Sequence, residues 1–398
     1  MEKKEKKYTK AQLALVIAFC AVIGLCFILF LALPKQAGKL SPLEFRVLQD
    51  HPIKGKDAAA LREDIVKGDL SSNVDSFLED HFPARKFFVA ANAYYLRATG
   101  RNAVQPVIMG RGDRLYDAPI DLRLKFYSYL EENEGCLEKF AADNGLEYGI
   151  VIAPNSALTS VSDLPKLHLE YPDAGIVDKL RQDTSAFVPD LVELYSSMED
   201  DERYFYRTDH HWTMDGAHLC YRALCGILGV TPVEKSEFTV EEYEFYGSYY
   251  RKSGLWLTSP DKLEIWRSPK LDNMTVSIGP EVRATVHKGV YDEEKLKENE
   301  IDKYAAYLYS NNGLTVIENP EGNGEALMII KDSYGNSIAP LFAMNYSTVI
   351  MIDTRGNYYQ DAALPMPSEL VAKYGVTKLL VIMGTESIVS NSQLIYLR

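Results

Sequence analysis

Three of the chain's seven histidines fall in one stretch, residues 209–218, which reads "DHHWTMDGAH". The preceding "YFYRT" has the pattern of a short strand running out into a loop. In extended chain, residues two apart point to the same side. Asp209 and His211 therefore share a face, with His210 directed the opposite way. A carboxylate in that place can hold the imidazole Nδ1–H and leave Nε2 as a base, the orientation that activates a serine hydroxyl. Metal binding is the competing chemistry, since Asp209, His210, His211, Asp215 and His218 include enough ligand types for zinc. The spacing is poor for it. Adjacent histidines on a strand do not both face one ion, His211 and His218 are seven residues apart, and H-E-x-x-H is absent. No metal is expected. Thr213 with Asp215 opens a helix, and His218 on it is expected to be a packed or surface residue, as are His51, His81, His168 and His287.

A serine suited to such a pair lies far downstream. Ser333, in "MIIKDSYGNSIAP", follows an apolar run of strand length and precedes a predicted helix start. A hydroxyl at a strand-to-helix turn is exposed, and the N–H groups opening the helix can receive negative charge on an oxyanion. Gly335 relieves crowding beside it. The G-x-S-x-G elbow is not matched, and Asp332 or Ser333 as a plain helix cap is the alternative. Arg355, in "VIMIDTRGNYYQD", ends a strand and can reach the mouth of a site or simply face solvent. The aromatic run from Tyr243 to Trp256 has two readings as well, a sugar-stacking face or the core of a β subdomain.

These residues need a scaffold, and the alternation along the chain supplies one. "EYGIVIAPN", "EALMIIKD", "YSTVIMID" and "VTKLLVIMG" are strand-like runs, separated by helical segments such as "SYGNSIAPLFAM" and "SELVAKYG". Strands alternating with helices predict a parallel sheet covered on both faces, with ligands beyond the carboxyl ends of the strands. Asp332–Ser333, Asp353–Arg355 and Gly384–Thr385 would meet there. Residues 80–100 and 119–143 have helical periodicity, "VIMGRGDRLYD" has the chemistry of a hairpin, and residues 232–320 read as a β-rich insertion.

The N-terminus is of another kind. It runs uncharged from Ala11 to Pro34 after five lysines, long enough for a membrane-spanning helix whose lysine-rich flank stays cytoplasmic. The expected organisation is a cytoplasmic tail at 1–10, a transmembrane helix at 11–33, a juxtamembrane linker at 34–72 and a catalytic domain at 73–398, outside the cell membrane. The whole chain has a net charge of −13 although its first ten residues are basic, so the exported part is strongly acidic. That argues against nucleic acid as a partner. Cys20 and Cys26 fall in the span; Cys136, Cys220 and Cys225 show no C-x-x-C spacing, so neither a disulfide framework nor a thiolate zinc site is indicated.

"TDHHW" upstream of a strand-turn-helix serine resembles the DHHW-motif proteins, themselves similar to the SGNH-hydrolase-like O-acetyltransferases that modify exported alginate. "HFPARKF", "VIMGRGDRLYD", "VIAPN", "FYGSYYRKSG", "KDSYGNS" and "IDTRGNY" extend the resemblance over most of residues 75–398. The resemblance implies an α/β, SGNH-hydrolase-like fold and a catalytic Asp209, His211 and Ser333. It further implies Trp212, Tyr334 and Arg355 as substrate-binding or oxyanion residues, with no cofactor. The implied activity is acyl transfer, acetyl above all, to hydroxyls of an exported polysaccharide, beside a multipass membrane O-acyltransferase that delivers the acyl group. The same residues would also serve a carbohydrate esterase, and the same fold a non-catalytic glycan-binding or assembly protein. Two departures stand out: "VIAPNSALTS" lacks the lysine expected after its turn, and His210 has no counterpart in the Asp-x-His-Trp of the alginate enzymes.

Overall fold

The computed structural model describes residues 9–397 except 42, 45, 105, 199–200 and 356–357. The lysine-rich start of the tail, residues 1–8, and Gly356 and Asn357 of "IDTRGNY" thus lie outside the described residues. The chain forms two compact units, residues 1–99 and 100–398.

In the first unit, helix α1 (Lys10–Ala32) opens with a capping box in which the Thr9 hydroxyl accepts from the Gln12 N–H and the Gln12 amide accepts from the Thr9 N–H. Its 23 residues extend roughly 34 Å at about 1.5 Å per residue, matching a hydrocarbon core of about 30 Å. None of its side chains is buried. Strands β1 (Leu40–Ser41) and β2 (Arg46–Val47) pair antiparallel and lead to helices α2 (Ala58–Lys67), α3 (Asp69–Asp80) and α4 (Arg85–Ala98). α3 and α4 are separated at "HFPA", where Pro83 has no N–H to give a helix and Ala84 takes a left-handed φ of 57°.

The second unit is built on a seven-stranded sheet. Before it, β3 (Ala103–Val104), β4 (Val107–Met109) and β5 (Leu115–Asp117) form a small antiparallel sheet around the expected "VIMGRGDRLYD" hairpin. Helix α5 (Leu130–Asn144) is shorter than the periodicity predicts, because residues 121–129 are spent in tight turns and a 3-10 turn. Then follow β6 (Glu147–Ala153), α6 (Ser156–Thr159), α7 (Asp173–Asp183), α8 (Leu191–Ser196) and α9 (Met214–Leu228). β7 (Thr239–Phe245), α10 (Ser248–Ser253), β8 (Asp261–Arg267), α11 (Pro269–Asn273), β9 (Thr275–Ile278), β10 (Thr285–Lys288) and β11 (Leu314–Glu318) make up the aromatic-rich region. β12 (Ala326–Lys331), α12 (Tyr334–Ala343), β13 (Thr348–Ile352), α13 (Pro367–Tyr374), β14 (Lys378–Gly384) and α14 (Thr385–Ser390) complete the chain.

The sheet order is β10-β9-β11-β13-β12-β14-β6. β13, β12, β14 and β6 are mutually parallel, as the alternation predicts, and β11, β9 and β10 continue the sheet antiparallel. The β-rich region is therefore only partly separate. β7 and β8 pair as a ribbon of their own, while the other three strands lengthen the central sheet. The parallel strands are apolar on both faces, and their side chains divide by alternation. Leu327 and Ile329 join Ala217, Tyr221 and Phe342 in one core, whereas Met328 and Ile330 join Leu137, Phe140 and Ile388 in the other. An α/β sandwich follows directly, with the carboxyl ends of β6, β12, β13 and β14 at one edge. Asn155, Ser333, Arg355 and Thr385 leave the sheet there.

Candidate active site

The loop carrying Asp209 is not an extended strand. Phe205 and Trp212 form an isolated antiparallel bridge, and residues 207–211 between them bend back on themselves. Asp261 at the start of β8 fixes the bend by accepting the N–H groups of Arg207 and Thr208 at 2.9 and 2.8 Å. The turn at Gly247 presses against it. A Cβ on Gly247 would stand 2.2 Å from the Asp209 Cβ and 2.5 Å from the Thr208 carbonyl oxygen, so only glycine fits. Ser248 N–H then donates to Asp209 Oδ2 at 2.6 Å. "FYGSYY" is thus the segment that holds the aspartate.

From Asp209 a chain of hydrogen bonds runs to Ser333. Asp209 Oδ1 lies 2.6 Å from His211 Nδ1 and accepts the His211 N–H at 3.0 Å. His211 Nε2 lies 2.7 Å from Ser333 Oγ. Burial works to raise the Asp209 pKa, but His210, His211 and the Ser248 N–H outweigh it and hold the carboxyl well below the usual range. Asp209 is therefore ionised at neutral pH. A serine hydroxyl so placed can pass its proton to Nε2, with the carboxylate opposite stabilising the resulting imidazolium.

Ser333 is the residue before α12, and its side chain makes no cap. Asp332 does that work. Its Oδ1 accepts the Tyr334 N–H at 2.9 Å, and Oδ2 accepts from the Gly384 N–H at 2.8 Å and the Ser387 hydroxyl at 2.7 Å. The carboxylate ties the turn at Ser333 to β14 and leaves Ser333 Oγ to His211. Gly335 is needed because a Cβ there would come within 2.6 Å of the Lys331 Cβ. Asn155, at the carboxyl end of β6, lines the same cavity as Ser333.

Among the residues expected to touch substrate, Trp212 does not line the cavity. It is fully buried, its Nε1–H donates to Ser337 Oγ at 2.9 Å, and its ring meets Tyr334 edge-on at 5.2 Å. It is a support that locks the Asp209 loop to α12, because its one polar atom is taken inside the protein. Tyr334 lines the cavity, and its hydroxyl donates to the His210 carbonyl at 2.6 Å. Arg355 also lines the cavity and is held by Asp353, with Nε at 3.0 Å from Oδ1 and Nη2 at 2.7 Å from Oδ2. Behind them the buried Lys331 reaches Asn336 Oδ1 at 2.7 Å and Asp353 Oδ2 at 3.4 Å. Arg355 and Lys331 keep Asp353 below the ordinary carboxylate range despite its burial.

His210 departs from the expectation of an opposite face. Because the loop bends, its ring lies beside that of His211, with centroids 3.8 Å apart. Asp209, His210 and His211 thereby bring one donor atom each within 4.8 Å of one another. Protein groups already engage both ring nitrogens of His211 and the Nδ1 of His210, which is 2.9 Å from Ser248 Oγ. Asp215 and His218 lie outside the cluster, bound to Lys235 and to the Val233 carbonyl.

Tyr304 went unnoticed in the sequence. Its ring stacks on His211 at 3.8 Å and 12°, and its hydroxyl reaches the Ser333 carbonyl at 3.3 Å and Ser337 Oγ at 3.1 Å. Nothing in the pattern around residue 304 marks it, since it stands in a 3-10 turn 29 residues before Ser333. Ser333 opens into a cavity of about 610 Å³ whose wall includes Asp117, Tyr127, Tyr171, His210, Tyr249 and Lys252. Polar groups interleaved with tyrosine rings suit a hydroxyl-rich ligand.

The DHHW protein family model matches residues 185–352. No curated protein matches the chain. Among solved structures, the chain is similar to a DHHW family protein from Eubacterium siraeum, with 17% identity and a TM-score of 0.59 over 73% of this chain and 97% of that one. It is similar also to Bacillus cereus PatB1, solved with a sulfonyl adduct, at 19% identity and a TM-score of 0.58 over 73% of this chain and 98% of that one. A weaker likeness, TM-score 0.44 at 14% identity, extends to the O-acetyltransferase domain of Pseudomonas putida AlgJ, over 73% and 99% of the two chains. The segment from 185 to 352, which carries Asp209, His211 and Ser333 together, is a DHHW-family match on a fold shared with these solved proteins.

Proposed function

We propose that this chain is a membrane-anchored, extracytoplasmic O-acyltransferase that moves an acyl group, in the first instance acetyl, onto hydroxyls of an exported or cell-surface polysaccharide. The observation that carries the reading is the 2.7 Å contact between Ser333 Oγ and His211 Nε2, on an imidazole whose Nδ1 is 2.6 Å from the buried Asp209 carboxylate. In the first half-reaction Ser333 Oγ attacks the donor carbonyl and its proton passes to His211. The oxyanion settles on the Ser333 N–H and Asn155, and the leaving group takes the proton as the acyl-serine forms. In the second, a sugar hydroxyl gives its proton to His211 and attacks the ester carbonyl, and Ser333 leaves with that proton restored. Helix α1 supplies the anchor, and a multipass membrane O-acyltransferase is the proposed source of acyl groups.

The test uses the full chain in detergent. A sulfonyl fluoride modifies a serine only when its proton can be removed, with fluoride leaving. Peptide mass mapping should find the sulfonyl group on Ser333 of the native protein and on no residue of Ser333→Ala, and His211→Ala should lose both labelling and turnover of p-nitrophenyl acetate. Equal turnover in Ser333→Ala and native protein, with folding unchanged, would sink the triad. Product analysis with a glycan acceptor then separates transfer from hydrolysis.

A further inference from the structure

His210 lies beside the hydrogen-bonded chain from Asp209 to Ser333, its Nδ1 3.5 Å from Asp209 Oδ1, and it is the least buried member of the group. Its side chain is 32% exposed, against 5% for Asp209 and 7% for His211. It borders the cavity into which Ser333 opens, as do Asp117, Tyr249 and Lys252. The ring cannot swing away. Nδ1 is fixed 2.9 Å from Ser248 Oγ, the His210 carbonyl accepts the Tyr334 hydroxyl at 2.6 Å, and the ring packs between those of His211 and Tyr334. Nε2 has no hydrogen-bond partner among the described residues. A rigid imidazole with one nitrogen satisfied and the other unclaimed, one residue from the base, is shaped to hold something that reaches the base.

We propose that His210 is an acceptor-binding residue: its Nε2 hydrogen-bonds a second hydroxyl of the polyol or sugar whose reacting hydroxyl faces His211 and the acyl-serine. This rests on the acyl-transfer reading above. The step itself stays balanced on His211, which takes the proton of the attacking hydroxyl and returns it to Ser333 Oγ as the ester bond to Ser333 breaks. His210 gains and loses no proton; it orients. Its enclosed position and the neighbouring His211 lower its pKa to about 4, so it is a neutral partner at pH 7, suited to an uncharged hydroxyl. The place is specific to acceptors with two hydroxyls close together, which water and simple alcohols are not.

The experiment compares the native full chain with His210→Ala and His210→Gln in detergent, acylated by p-nitrophenyl acetate and offered methanol or glycerol as acceptor. The burst of p-nitrophenol reports acylation, and the ratio of acetyl ester to acetate reports how the acyl-enzyme divides between acceptor and water. The native protein should favour glycerol over methanol. In His210→Ala the glycerol ratio should fall about three- to tenfold further than the methanol ratio, the range for one lost neutral hydrogen bond. His210→Gln, whose amide reaches toward the place of Nε2, should recover part of the loss. A glycerol ratio unchanged in His210→Ala overturns the inference. So does an equal fall in burst, methanol ratio and glycerol ratio, which marks a structural role through His211. A native protein without any burst overturns the acyl-transfer reading as well, so the two failures are told apart.

Discussion

Asp209→Asn tests the site most severely, because three donors share two oxygens. Oδ1 accepts the His211 N–H and faces Nδ1, while Oδ2 accepts the Ser248 N–H. Asparagine has one oxygen and one NH2 group. If the oxygen faces Ser248, the NH2 confronts two donors of His211, and Nδ1 must become the lone-pair nitrogen. The proton then sits on Nε2, which can no longer accept one from Ser333. If the amide flips, the tautomer survives but the NH2 meets the Ser248 N–H, an opposed pair of donors in a buried place. Leaving a buried polar group unsatisfied costs about 1–3 kcal/mol, so the first arrangement and the second are close in energy and neither is good. A wrong tautomer behind a serine costs about 10⁴-fold in rate, equivalent to roughly 5.5 kcal/mol at about 1.36 kcal/mol per tenfold. We expect kcat for p-nitrophenyl acetate to fall by about 10³–10⁴, with stability to urea lower by about 1–3 kcal/mol. A variant within tenfold of native kcat, at unchanged stability, refutes the orienting role of the carboxylate.

Three further outcomes follow from the same contacts. Gly247→Ala places a methyl against the Asp209 and Thr208 backbone, so turnover and thermal stability should fall together, as stopped assays and a melting curve will show; an active, stable variant would mean that the turn is not the support of Asp209. Trp212→Phe removes the Nε1–H donated to Ser337 and should cost about 1–2 kcal/mol from one hydrogen bond and a small cavity, with turnover reduced less than in Asp209→Asn; a larger effect on KM than on kcat would argue for substrate contact instead. The pKa of His210 is lowered from 6.5 to about 4, so between those values the unfolded chain binds the proton and the folded one does not. Stability should therefore drop as pH falls from about 6.5 towards 4, and His210→Gln should flatten that part of the curve relative to native protein in parallel urea titrations, with the slopes left equal if His210 titrates normally.

The central sheet was legible in the sequence because its signal is local. Runs such as "EALMIIKD" and "VTKLLVIMG" are apolar on both faces, and each lies next to the helix that covers it. The pairing of β9, β10 and β11 with that sheet was not legible, since short alternating strands look the same in a separate ribbon as at a sheet edge, and only the partner strand decides. The site shows the same division. Asp209 and His211 are two residues apart, so local geometry puts them together in an extended strand or in the bend that the structure has. It does not place His210, whose side depends on which of the two is present, and the strand reading put it on the wrong one. Ser333 is 122 residues from His211, and no periodicity can measure that gap; a resemblance was needed. Tyr304 had neither spacing nor resemblance to mark it. What brings it in is the length of chain from β8 to β11, which returns over the Asp209 loop and lays the ring on His211. A side chain that matters by lying across a site rather than by entering its chemistry leaves no trace in residue type. Even so, Tyr304 joins the His211 ring to the Ser333 carbonyl in a single side chain, so the chain between β8 and β11 reaches the candidate site through this contact, while Tyr249 of the aromatic run lines the cavity beside it.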